Sequence, residues 1–204
     1  MKPDHIFIRA TPGAPEAEAL RAFGLTEGSG NVHPGQGTAN RRFFFANAFL
    51  ELLWIADAAE VASPLTAPTT LGERLCADSA ASPFGICFRD AGTPAFPVFD
   101  YQPSYLPPGM SIGIASEAPL SEPMWFYLAG GKSLPPPPDH AAGLNRISAV
   151  RCTLPAVAAL SAAALGSDVT FAEGKEHLLE ISFDDEMRGL THDFRPILPL
   201  IFRY

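Results

Sequence analysis

Two apolar runs set the pattern of the first quarter of the chain. Phe43 to Phe45 and Phe49 to Ile55 flank Ala46-Asn47-Ala48, a spacing that predicts a β-hairpin. Alternation along the second run puts Phe49, Glu51, Leu53 and Ile55 on one face and Leu50, Leu52 and Trp54 on the other. Both faces are apolar, so the strand should be covered on both sides. Glu51 is then a lone carboxylate where burial is costly without a metal, an arginine or a bound substrate beside it.

Upstream, His5 to Thr11 alternates as a strand, with Ile6, Ile8 and Ala10 opposite His5, Phe7 and Arg9. Ala17, Leu20 and Phe23 recur at helical spacing over 15–23, and Gly24 closes that helix. Residues 26–37 are glycine-rich and lead into the hairpin. Downstream, a helix is expected around 71–80, and strands over 84–89, 110–115 and 124–128. Five prolines between 91 and 109 exclude a continuous helix there. Four consecutive prolines within 134–139 predict a stiff spacer.

After the spacer the opening order returns: strand 147–153, an alanine-rich helix over 155–165, then strands 169–173 and 177–183. Ile8-Arg9-Ala10-Thr11 followed by proline matches Val150-Arg151-Cys152-Thr153 followed by Leu154-Pro155. Phe49-Leu50-Glu51-Leu52 likewise matches Leu178-Leu179-Glu180-Ile181. This predicts a repeated unit: a first module over 1–57, a connecting region over 58–139, and a returning module with a tail over 140–204, all in one compact domain.

Composition changes this picture little. The 204 residues are 47% hydrophobic and 18% charged, ordinary for a folded soluble domain. A net charge of -8, with no basic stripe, argues against nucleic-acid binding. No run approaches the ~20 apolar residues of a membrane span, and charge and proline interrupt the start where a signal peptide would need an apolar stretch. Three cysteines without metal-type spacing are expected as reduced core residues, and the location as cytoplasmic. The expected partner is a small-molecule ligand, with a homodimer as an allowed assembly.

The βαβββ order, with a strand-borne glutamate, resembles the vicinal-oxygen-chelate superfamily of glyoxalases and extradiol dioxygenases. Asp4-His5-Ile6, His33-Pro34-Gly35-Gln36-Gly37-Thr38-Ala39-Asn40 and Phe49-Leu50-Glu51-Leu52 are similar to the glyoxalase-like domain family. The resemblance implies an α+β fold of paired βαβββ modules enclosing a concave pocket. It implies a divalent metal held by His5, Glu51 and Glu180, with Glu51 or Glu180 as the catalytic proton carrier. The activity implied is that of a lyase, isomerase or dioxygenase on a small carbonyl- or oxygen-rich substrate, with a metal-free binding protein as the alternative.

The residues themselves leave several readings open. Arg9 and Arg42 could bind a substrate carboxylate, and Asn40 completes the expected substrate-binding set. Either arginine could instead neutralise Glu51. The glycine-rich 33–38 loop could close over a ligand or serve only as a turn.

Overall fold

The structure, a computed structural model, describes residues 1–90, 93–130, 136–156 and 159–204. The first half runs β1 (Pro3–Arg9), α1 (Ala17–Phe23), β2 (Asn31–His33), β3 (Thr38–Phe44) and β4 (Phe49–Ile55). Short helices α2 (Ala58–Val61) and α3 (Leu71–Leu75) follow, then β5 (Phe84–Asp90), β6 (Val98–Tyr101), β7 (Ile112–Ala115) and β8 (Met124–Ala129). The chain ends with β9 (Ile147–Leu154), α4 (Ala162–Leu165), β10 (Thr170–Glu173), β11 (Leu178–Phe183), β12 (Thr191–Asp193) and β13 (Leu200–Arg203).

Strands β1–β8 form one curled eight-stranded sheet in the order β2-β3-β4-β1-β5-β8-β7-β6. Its halves repeat one wiring. β1 pairs parallel with β4 as β5 does with β8, and the other two strands of each half add antiparallel outward. The first half is a complete βαβββ module, and the second has the same strand order. The halves meet through antiparallel β1 and β5, whose ladder is centred on Ile6 opposite Ile86. A local two-fold through that pair carries His5 onto Gly85 and Phe7 onto Cys87. The parallel registers then carry Phe49 onto Met124 and Glu51 onto Phe126.

The pairing therefore differs from the expectation in one respect. The second half of the pocket sheet is 84–129, within the expected connecting region, and not 145–183. The segment 145–183 has the β-α-β-β order but another wiring: β9 pairs parallel with β10 and antiparallel with β11, whereas β1 pairs parallel with the last strand of its module. The short helix α4 lays β10 directly beside β9, so β11 must use the other edge. Together with β12 and β13 these strands form a separate five-stranded sheet, in the order β10-β9-β11-β13-β12.

That second sheet explains why β4 is apolar on both faces. Ile6, Ile8, Leu50, Leu52, Phe84, Ile86 and Trp125, on the convex side of the large sheet, share one core with Val150, Cys152, Leu179, Ile181, Phe183, Leu200 and Phe202. The concave side carries its own apolar cluster, including Phe7, Leu53, Tyr101, Ile112, Ile114, Met124 and Phe126. Asn47, in the β3–β4 turn, clamps the sheets together: its amide donates to the carbonyl of Ile147 at 2.9 Å and accepts from the Ile147 N–H at 3.0 Å.

Other departures have local causes. The helix expected over 71–80 stops at Leu75, where Cys76 turns extended. The helix expected over 155–165 is reduced to α4. Two hydrogen bonds to the Glu122 carboxylate hold Ser161 extended, so it caps α4 rather than continuing a longer helix (157–158 lie outside the described residues). Strand β6 was not expected in the proline-rich stretch. Pro97 and Pro103 bracket it, and as the sheet's outermost strand it tolerates proline nearby. The first residues of the proline spacer, 134 and 135, lie outside the described residues, and 136–139 carry no helix or strand.

Candidate functional site

The concave face of the curled sheet walls a cavity of about 490 Å³. Its two ends differ in chemistry. The first half contributes His5, Asn40, Arg42 and Glu51 from β1, β3 and β4, with His33 and Gln36 from the β2–β3 segment. The second half contributes mostly apolar groups, Ile112, Ile114, Met124, Phe126 and Leu128, alongside Arg89.

Glu51 faces this cavity, as strand alternation requires. It is buried, and its Oε1 accepts from the Asn40 Nδ2–H at 2.6 Å. Its Oε2 lies 4.0 Å from His5 Nε2, too far for a direct hydrogen bond. Arg42 stands opposite Glu51 in the β3–β4 register but does not pair with it. The guanidinium donates instead to the Ser29 carbonyl at 2.7 Å and lies over the rings of Phe44 and Phe49.

His5 is fixed on three sides. Phe49 stacks on its ring at 4.4 Å, Phe126 presents an edge at 5.2 Å, and Nδ1 meets Asp4 Oδ2 at 2.8 Å. The β1–β5 ladder slips between Pro3 and His5, and Asp4 sits at that slip. Asp4 also accepts from Arg89 Nε–H at 3.0 Å. Burial alone would raise the Asp4 carboxyl pKa, but the His5 hydrogen bond and charge, with those of Arg89, hold it below the usual range. An ionised Asp4 only accepts, so in its neutral form the His5 ring carries its proton on Nδ1 and presents a bare Nε2 lone pair to the cavity.

A second polar array closes the same end. His33 Nδ1 meets Thr38 Oγ1 at 2.8 Å, Gln36 Nε2 donates to that hydroxyl at 2.7 Å, and Tyr105 donates to Gln36 Oε1 at 3.2 Å. The tight loop depends on Gly37, which has φ +78° and packs so closely on the Asp57 carbonyl that no side chain fits there. Burial lowers the His33 pKa and keeps the ring neutral, although the Glu51 charge opposes this.

The cavity thus brings together His5, Glu51, Asn40 and Arg42 of the expected site residues. It does not bring in Arg9 or Glu180. Arg9 shares the face of His5 but lies beyond the cavity, donating to the carbonyls of Arg74 and Cys76. Glu180 stands on β11 of the other sheet, bonded by Arg203 at 2.6 and 2.9 Å with Arg151 3.7 Å away. Asp4, Arg89, His33, Gln36 and Tyr105 were not expected as site residues. His33 and Gln36 fall in the loop singled out for closing over a ligand. Arg89 shares strand parity with Gly85 and Cys87, which would have flagged it had β5 been read as a pocket strand.

Residues 4–96 match the family model of the glyoxalase-like domain. Over those residues the chain is similar to a glyoxalase-like domain. The match covers the whole first module and the first strand of the second half. No curated protein matches the sequence. Among solved structures, a hypothetical protein from Staphylococcus aureus is similar over 99% of this chain and 98% of its own, with a TM-score of 0.53 and 12% identity. At that identity the likeness concerns the fold alone.

A glyoxalase-like fold implies a divalent cation, and the donors present do not fit one. The two-fold partners of His5 and Glu51 are Gly85 and Phe126, which offer no ligand atom, and one pleat further along the same face stand Cys87 and Leu128. Among the described residues, the group with ligand atoms mutually within 4.8 Å is Asp4, His5 and Cys87. Asp4 is committed to His5 and Arg89, and burial pushes the Cys87 thiol far above its ordinary pKa, so it stays protonated. Phe7 closes the remaining space, its ring lying where a side chain at Gly85 would stand.

Proposed function

We propose that this glyoxalase-like protein binds a small amphiphilic molecule and moves a proton on it without a metal ion, in the manner of an isomerase or lyase. The observation that carries the reading is the arrangement at the polar end. Glu51 Oε2 and the bare His5 Nε2 face one cavity 4.0 Å apart, a gap that accommodates one reacting group between them. Glu51 accepts the proton, Asn40 orients its carboxylate, and Asp4 holds His5 in the tautomer that can take the proton on or return it. Arg42 and the apolar wall of β7 and β8 bind the rest of the molecule.

The apolar wall also favours a second reading, a protein that binds and retains such a molecule without altering it. Turnover of nitrobenzisoxazole separates the two. A base removes its one acidic C–H proton, the N–O bond opens, and a coloured cyanophenolate results. The enzyme reading predicts saturable turnover that falls about 10²-fold or more in Glu51→Gln. Saturable binding with no turnover above buffer favours the retaining protein.

A further inference from the structure

We propose that His33 is the hydrogen-bond donor for a carbonyl oxygen, which makes the substrate an enolisable ketone or aldehyde carrying an apolar chain. This inference rests on Glu51 acting as a proton acceptor in the same cavity.

Hydrogen bonding assigns the His33 proton. Tyr105 donates to Gln36 Oε1, which fixes the amide with its N–H toward Thr38. Thr38 is fully buried, so its own hydroxyl proton needs an acceptor. Gln36 Nε2 can only donate, and the remaining partner of that hydroxyl among the described residues is His33 Nδ1. Thr38 therefore donates to Nδ1, and the ring proton sits on Nε2. The buried His33 ring lines the cavity, tilted against the Tyr105 ring at 4.9 Å, and no described residue takes its Nε2–H. Its neutral state follows from the same burial.

The two histidines thus present opposite ends of their rings. His5 offers a lone pair beside Glu51, and His33 offers an N–H to the same cavity. A group held among the three must supply an acidic proton on one side and an acceptor on the other. A carbonyl with an α C–H does so. Glu51 takes the α-proton, the C–H pair moves into the C–C bond, and the carbonyl π pair becomes an enolate oxygen that His33 stabilises. Reprotonation at carbon reverses the step or completes an isomerisation, so no oxidant or further reactant is needed.

The test uses two readouts. Histidine-selective nitrogen NMR of the wild-type protein is expected to place the His33 proton on Nε2. Thr38→Val should shift it toward Nδ1, and Thr38→Ser should restore it. Exchange of the α-protons of methyl hexyl ketone in deuterium oxide is expected to depend on Glu51 and to slow about 10²-fold in His33→Leu. A proton found on Nδ1 in the wild type, or equal exchange in His33→Leu, overturns the donor role. Nitrobenzisoxazole turnover without Glu51-dependent ketone exchange overturns the carbonyl class and leaves the proton-acceptor reading standing. Loss of both activities in the wild type removes that reading as well.

Discussion

Replacing Gly85 by alanine would put a methyl group 2.5 Å from Cδ1 and Cζ of Phe7 and closer still to Cε1. Phe7 is buried against Phe126, with ring centroids 6.1 Å apart, so its ring can retreat only into the cavity. Two effects compete. Gly85 has an ordinary strand backbone, and losing its extra unfolded-state freedom would stabilise by about 0.4–1 kcal/mol. Forcing a methyl into a filled space costs about 1–3 kcal/mol. The clash outweighs the entropy gain, for a net loss of about 1–2 kcal/mol and a smaller pocket. A double-mutant cycle with Phe7→Leu isolates the clash. In that background Gly85→Ala should be near neutral, giving an interaction energy of about 1 kcal/mol or more from urea unfolding. An alanine that stabilises the wild type, or that costs the same in both backgrounds, would refute the account of why this position holds no ligand.

Three further outcomes are expected. Glu180→Gln should cost about 1 kcal/mol or less in urea unfolding, because its Arg203 partner is partly exposed, and should leave nitrobenzisoxazole turnover unchanged; loss of turnover would return Glu180 to the site. Asp4 has a folded pKa held below 3.8, so its contribution is complete above that value and lost as pH falls through the folded pKa. The stability gap between wild type and Asp4→Asn should therefore close in acid, and a gap that widens contradicts the Asp4–His5–Arg89 assignment. Burial lowers the pKa values of His33, His140 and His177 from 6.5, so the unfolded chain binds more protons just below that pH. Stability should fall as pH drops below 6.5, and urea midpoints that stay flat would contradict it.

The first module was legible because its signals are local. Alternation along 49–55 sets the inward face of Glu51, the strand parity of His5 matches it, and Gly24 ends α1 with φ +108°. The second half of the pocket was not legible, for reasons of tertiary wiring. β5, β7 and β8 read as isolated apolar strands, and β6 is a four-residue edge strand between prolines. No helix among the described residues joins β5 to β6, so the βαβββ signature is absent there, and 145–183 carries the nearer likeness to the first module. The matching Glu51 and Glu180 segments suggested equivalence, yet strand pairing decides which carboxylates share a cavity, and pairing is not written in one strand. Asn40 as the partner of Glu51 is a diagonal contact across β3 and β4, which follows only once the register opposes Arg42 to Glu51.

The central claim is proton transfer at Glu51 without a metal. Its most direct test is nitrobenzisoxazole turnover measured before and after dialysis against a chelator, with thermal melts of the same samples. The account predicts equal rates and equal melting temperatures in the wild type, and a Glu51→Gln rate about 10²-fold lower in both buffers. Turnover that chelator abolishes and an added divalent cation restores, with a melt lowered only by chelator, would contradict it.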